Sequence, residues 1–235
     1  EFRAPSVVLA TGGYSYNEEG LAVKTLVDVV NSMAQAALEA GVSIVTGDTK
    51  VVEKGHGDGL FISTSGLGEK IPGTCVSGRA AKPGDIVLVT GTMGDHGITI
   101  LSQREGLGFE AQVQSDTAPL NGITEALLSA LGERVHVLRD PTRGGLATTL
   151  NEIAAQSQVS IEIDEETVPI HPAVASACEF LGLDPLYIAN EGKLIVIVEE
   201  NASQENPEQY RQPAKCCRLN SSRHRACTCD GRKLM

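Results

Sequence analysis

Short β-branched runs alternate with segments of helical period along most of this chain, and no other feature limits its possible folds so tightly. Val7–Ala10, Val42–Val45 and Asp58–Thr64 read as strands. Between the first two, Asn17 is placed as an N-cap with acids in the following turn. Leu21, Thr25, Leu26, Val29, Met33, Ala36, Ala37 and Ala40 then hold near-helical spacing up to Gly41, a natural stop. Lys70–Pro83 is a seam of prolines and glycines without a period. Beyond it, Asp85–Thr90, Val135–Leu138, Val159–Ile163 and Lys193–Val198 predict strands. Helices are expected up to Arg104 and over Leu120–Leu131, Gly144–Gln156 and His171–Leu181. Such alternation predicts an α/β or α+β fold with helices covering a sheet, and the length allows one large domain or two small ones. Aromatic residues are 3% of the chain and tryptophan is absent, so the core must be aliphatic.

The net charge of −11 divides unevenly. Residues 201–235 hold seven Lys/Arg against three Asp/Glu, a balance of +4 that leaves the rest at −15. An acidic body argues against a general nucleic-acid binder, though not against a local nucleotide cradle. No apolar run approaches the ~20 residues of a membrane span, and Glu1–Pro5 is no signal peptide, so a cytoplasmic protein without membrane contact is expected. Cys75 and Cys178 read as buried fillers. From Asn201 onward the chain has no apolar period and much Arg, Ser, Gln and Cys, which predicts a disordered or foreign tail. Cys216, Cys217, His224, Cys227 and Cys229 lack the two-residue spacing of common structural zinc sites.

Several turns carry chemistry-bearing side chains. In Ile44–Lys50 a strand is expected to end at Gly47, presenting Asp48, Thr49 and Lys50 together: an acid for Mg²⁺, a hydroxyl, and an amine for a phosphate or carbonyl oxygen. The same residues also read as a tight turn with solvated charges. Asp140-Pro141-Thr142-Arg143-Gly144-Gly145 follows a strand and opens a helix, an anion site by geometry or simply a capped turn. In Gly91–Gly97, His96 is a general base or a capping or hydrogen-bonding group. Asn190-Glu191-Gly192 precedes an apolar strand and offers a base, a Mg²⁺ ligand or a plain turn.

Taken together, SIVTGDTKVV (43–52), GTMGDHG (91–97), LRDPTRGG (138–145), HPAVASACEFLGL (171–183) and ANEGKL (189–194) resemble the HypE family of hydrogenase maturation proteins. That family lies within the superfamily of aminoimidazole ribonucleotide synthetase, selenophosphate synthetase and thiamine-monophosphate kinase. The resemblance covers about residues 5–200 and implies a partial N-terminal ATP-binding domain over 1–72 and an incomplete C-terminal α/β domain over 80–200, followed by the 201–235 tail. It implies a homodimer that binds ATP and Mg²⁺ between its domains. It also implies receipt of a carbamoyl group on a cysteine from the carbamoyltransferase HypF, dehydration of that group to thiocyanate, and delivery of cyanide through HypC–HypD. By this resemblance Lys50 and Glu191 are catalytic. Asp48, Thr49, Asp140, Arg143, Gly144 and Asn190 bind nucleotide, Asp48 holds Mg²⁺, and His96 is an additional site residue. Two departures are the missing glycine- and Asp-rich N-terminal segment and the altered sequence after about Glu200, which together predict an incomplete copy. The competing expectations are another ATP-using member of the superfamily, such as selenophosphate synthetase, and a non-catalytic scaffold for the same partners.

Overall fold

The structure, a computed structural model, describes residues 7–15, 23–50, 59–107, 113–204, 216–220, 227–229 and 232–233. The chain divides into two compact units, residues 1–72 and 73–235. The expected N-cap at Asn17 and the loop at 54–57 lie outside the described residues.

In the first unit, β1 (Val7–Ser15) pairs in parallel with β2 (Ile44–Lys50) and antiparallel with β3 (Gly59–Gly66). Helix α1 (Val23–Glu39) connects β1 to β2. Of the predicted stripe, Leu26, Val29, Met33, Ala37 and Ala40 are half-buried at helical spacing, whereas Thr25 and Ala36 are exposed and Leu21 lies outside the described residues. Gly41, at φ +65°, terminates it as expected, with the Val42 amide donating to the Ala37 carbonyl at 3.0 Å. Lys24–Asp28, a 2.6 Å pair one turn apart, supports the exposed side.

β2 differs from the sequence expectation. Gly47–Lys50 do not leave the strand; they continue the ladder against β1, with Gly47 opposite Leu9 and Lys50 opposite Gly12. Pairing with β1 supplies backbone hydrogen bonds that outweigh the local turn preference of Gly-Asp.

The second unit is an α+β domain on a seven-stranded, mostly antiparallel sheet. One side of it is formed by β4 (Ile86–Val89), β7 (Ile195–Val198) and β5 (Val135–Arg139), with β7 between the other two and β5 at the edge. The apolar runs IVLV and IVIV do not alternate with polar residues, which fits strands covered on both faces. Toward one face, Val87, Val89, Val137, Ile195 and Ile197 pack with Leu146, Leu150 and Ile153 of α4 (Gly145–Ser157). The alternating Leu88, Val196 and Val198 are buried as well. Each such aliphatic side chain contributes about 1.5–3 kcal/mol when buried.

Helices α2 (Asp95–Glu105) and α5 (Pro172–Leu181) share a smaller core around Ile98, Val174 and Cys178, and α3 (Asn121–Leu131) buries Leu127, Leu128 and Leu131. His136, buried in β5, donates from Nδ1 to Asp85 at 2.7 Å and accepts from Lys82 at 3.0 Å, tying the start of β4 to β5. Cys178 is buried as predicted, and burial foremost, with the Asp184 carboxylate second, pushes its thiol up. Cys75 is exposed, contrary to expectation: the seam reaches the core only at Ala81, six residues further on.

Part of the region expected as a disordered tail is ordered in this sheet. β8 (Cys216–Asn220) lies between β4 and β6 (Ser160–Ile163), and β9 (Cys227–Cys229) and β10 (Arg232–Lys233) extend the sheet beyond β6. For these residues the tail reading is corrected. β4 and β6 each present an open ladder of backbone donors and acceptors, and a polar segment satisfies it as well as an apolar one does. Among the described residues, no helix is long and apolar enough to cross a membrane.

Candidate active site

Antiparallel pairing brings three turns to one end of the sheet. Val89 and Arg139 both lie opposite Ile195, so the residues after β4, those after β5 and those before β7 emerge side by side. The predicted residues His96, Asp140, Arg143, Gly144, Asn190 and Glu191 all belong to these turns or to the helices they open.

Asn190 is fully buried and joins the three turns. Its Oδ1 accepts from the Gly94 amide at 2.7 Å, and its Nδ2 donates to the carbonyls of Ile188 at 2.8 Å and Pro141 at 3.4 Å. The side chain expected to contact a nucleotide therefore makes its hydrogen bonds inside the protein. Gly145 lets the second turn approach. At φ +66°, a Cβ there would stand 2.5 Å from the Leu186 carbonyl oxygen and 2.7 Å from that of Ile188.

Arg143 and Gly144 are exposed at the start of α4, where free amides and the helix dipole favour an anion. Asp140 is half-exposed and pairs with Arg139 at 2.8 Å, while Arg139 reaches Glu152 at 3.3 Å. Partial burial, the largest influence on Asp140, works to raise its pKa. Hydrogen bonds from Thr142 and its own backbone, together with the Arg139 charge, outweigh this and hold the carboxyl below its ordinary range. His96 lies in the first turn of α2, with Nδ1 at 2.8 Å from Ser115 Oγ, which favours the hydrogen-bonding role over that of a base. Glu191 is half-buried, and its carboxylate takes no part in the bonds that fix its neighbours.

The sequence reading missed Lys193. Its side chain is 1% exposed, and the ammonium donates to the Thr92 carbonyl, to Asp116, and to Asp95 at 3.3 Å. Asp95 also accepts from the Thr92 hydroxyl at 2.5 Å. Beside this cluster opens a cavity of about 840 Å³, polar along Thr90, Thr92, Asp116 and Lys193 and apolar along Leu120 and Ile123. The available signal was a lysine directly before a strand apolar on both faces.

In the first unit, Asp48, Thr49 and Lys50 occupy the carboxyl-terminal half of β2, exposed throughout. Strand alternation sets Asp48 and Lys50 on one face and Thr49 on the other. Among the described residues, no group of three or more His, Cys, Asp or Glu is placed to hold a metal ion.

Comparison with known proteins accords with this layout. Residues 4–69 match the N-terminal domain, and residues 82–214 the C-terminal domain, of AIR synthase related proteins. The second match runs past Asn201, where the foreign tail was expected to begin. Carbamoyl dehydratase HypE of Azotobacter vinelandii is 55% identical over 83% of this chain, which spans 57% of that relative's length. A crystal structure of HypE in complex with ATP superposes with a TM-score of 0.90 at 44% identity, covering 100% of this chain and 73% of that one. A HypE–HypF complex gives a TM-score of 0.88 at 46% identity, covering 97% of this chain and 74% of that one. The chain belongs to the HypE family of AIR synthase related proteins.

Proposed function

We propose that this chain takes part in the ATP-dependent dehydration of an S-carboxamide on a cysteine thiol to a thiocyanate, the precursor of the cyanide ligand of nickel–iron hydrogenase. The observation that carries this reading is the Asn190–Lys193 turn, which offers Glu191 as a half-buried carboxylate between two residues locked by internal bonds. The relative named carbamoyl dehydratase and the HypE bound to ATP support it.

Bound ATP supplies a phosphoryl group that turns the amide oxygen, a poor leaving group, into a good one. The carbonyl C–O bond breaks, the oxygen leaves on inorganic phosphate, and the nitrogen gives up both protons as the C≡N bond forms. Glu191 accepts one proton from that nitrogen, and the departing phosphate carries the other. Lys50 places a cation against the charge developing on the transferred group. The donor chemistry of β2 fits Mg²⁺, with Asp48 as one ligand and Lys50 beside it on the same face. Mg²⁺ usually completes its shell with water and phosphate oxygens, so a single carboxylate suffices. Arg143 and the Gly144 amide bind nucleotide and Asp140 orients the Arg143 turn, while Asn190 acts by holding the turns together; Thr49, on the other face of β2 from Asp48 and Lys50, is not assigned to the nucleotide. His96 positions the 113–120 segment.

The proposed partners are a HypF-type carbamoyltransferase, HypC–HypD as cyanide acceptor and a second copy of the chain, all in the cytoplasm. The HypE–HypF complex supports the first. The exposed Val27, Val30, Val45 and Phe61 of the first unit support the homodimer.

The test is mass spectrometry of the full chain after incubation with the carbamoyltransferase, carbamoyl phosphate and ATP. A carbamoyl adduct on one cysteine that then loses the elements of water is expected. Glu191→Gln and Lys50→Ala should accumulate the undehydrated adduct. An adduct that persists in the parent chain despite ATP, with partner binding retained, would favour the scaffold instead.

A further inference from the structure

Burying a lysine costs several kcal/mol unless its charge and donors are matched. Lys193 is matched completely, with three acceptors for three ammonium hydrogens: Asp95, Asp116 and the Thr92 carbonyl. These acceptors come from separate parts of the fold. Thr92 and Asp95 belong to the turn after β4 and the first turn of α2, whereas Asp116 lies on the strap 113–120 that leads into α3.

The strap is held on both sides of Asp116. Ser115 Oγ is 2.8 Å from His96 Nδ1 and 2.8 Å from Thr117 Oγ1. At Gly192, with φ +65°, a Cβ would overlap the Asp116 carbonyl oxygen and stand 2.7 Å from the Ala118 amide. The strap therefore presses on Gly192 while Lys193 grips it, and Glu191 is the next residue. On its other side, Asn190 is fastened to Gly94 and Pro141.

We propose that Lys193 is a positioning residue, which sets the bearing of the Glu191 carboxylate by clamping the Gly192 turn to the 113–120 strap through Asp116. Its catalytic consequence rests on the dehydratase reading, whereas the clamp itself does not. A hydrophobic residue at 193 would fill the space, but it would not fix the strap in register with the turn.

The experiment compares Lys193→Met and Asp116→Ala in the full chain, reading thiocyanate formation and backbone amide exchange at 191–194. Asp116 is one-third exposed, so its truncation decides the question if Lys193→Met does not fold. Expected are an unchanged KM for ATP, faster exchange at 191–194, and a kcat lower by about 10–100-fold, the scale for a reacting group displaced by an ångström. Unchanged kcat and unchanged exchange in a folded variant would overturn the clamp, as would a loss confined to KM. If the parent chain forms no thiocyanate, the dehydratase reading fails. Exchange then judges the clamp alone: faster exchange upholds it and unchanged exchange overturns it.

Discussion

The two units treat their apolar residues in opposite ways. In the second, Val87, Val89, Ile195 and Ile197 are 0% exposed, whereas in the first Val27 is 48%, Val30 53%, and Val45 and Phe61 each 56% exposed. β-branched and aromatic residues thus form strands in both, but among the described residues it is in the second unit that strand side chains are buried on both faces. Among the described residues the first unit has a three-stranded sheet and one helix, one layer too few to bury every apolar side chain they carry. The difference teaches that the second unit draws stability from its own core, while the first leaves apolar area for another surface to cover.

Introducing a charge should break this comparison most sharply. Ile197→Asp places an unpaired carboxylate in the centre of β7 and should cost more than about 4 kcal/mol, abolishing the cooperative melting of the second unit. Val45→Asp should leave that transition unchanged by calorimetry and reduce self-association in sedimentation. Equal destabilisation by both would contradict the contrast.

Glycine replacements give a smaller, paired effect. Gly41 and Gly145 share a positive φ, yet a Cβ meets nothing within 4 Å at Gly41 and two carbonyl oxygens at Gly145. Gly41→Ala should cost about 1 kcal/mol, the conformational term alone. Gly145→Ala should cost about 2–4 kcal/mol because the α4 turn must also move away from 186–188. Denaturant midpoints of the two variants measure the difference.

The smallest effect concerns acid. Asp140 has a folded pKa below its ordinary value, so its stabilising contribution is present above about pH 4 and is lost as pH falls through the folded pKa. Its side chain is 50% exposed and its partner Arg139 43%, so screening limits the effect to no more than about 0.5 kcal/mol. Asp140→Asn should therefore flatten the acid limb of the stability curve slightly and leave neutral pH almost untouched. A large loss at pH 7 would mean that Asp140 holds the turn by more than its charge.

Much of the architecture was legible because it rests on local physics. The stripe from Leu26 to Ala40 and the stop at Gly41 follow from helical geometry. Unbroken IVLV and IVIV runs announce strands buried on both faces. β8 was illegible for the converse reason: Cys216–Asn220 has neither period nor apolar run, and only the ladders of β4 and β6 call it into the sheet. Within the candidate site, Glu191 and the Asp140 turn stood out as acids between strand and glycine. Lys193 did not, and Asn190 stood out as a nucleotide contact rather than a buried brace, since a polar residue in a turn normally faces water and only the meeting of three turns at one end of the sheet buries these two.

From the sequence alone came the order of strands and helices, the aliphatic core and the motifs that mark the family, because each depends on neighbours a few residues apart. Tertiary structure decided the rest: that β2 continues through Lys50, that part of a polar tail becomes sheet, and that Lys193 is enclosed by Asp95 and Asp116. These outcomes depend on partners tens of residues distant, whose unmet hydrogen bonds and charges exist only once the chain has folded.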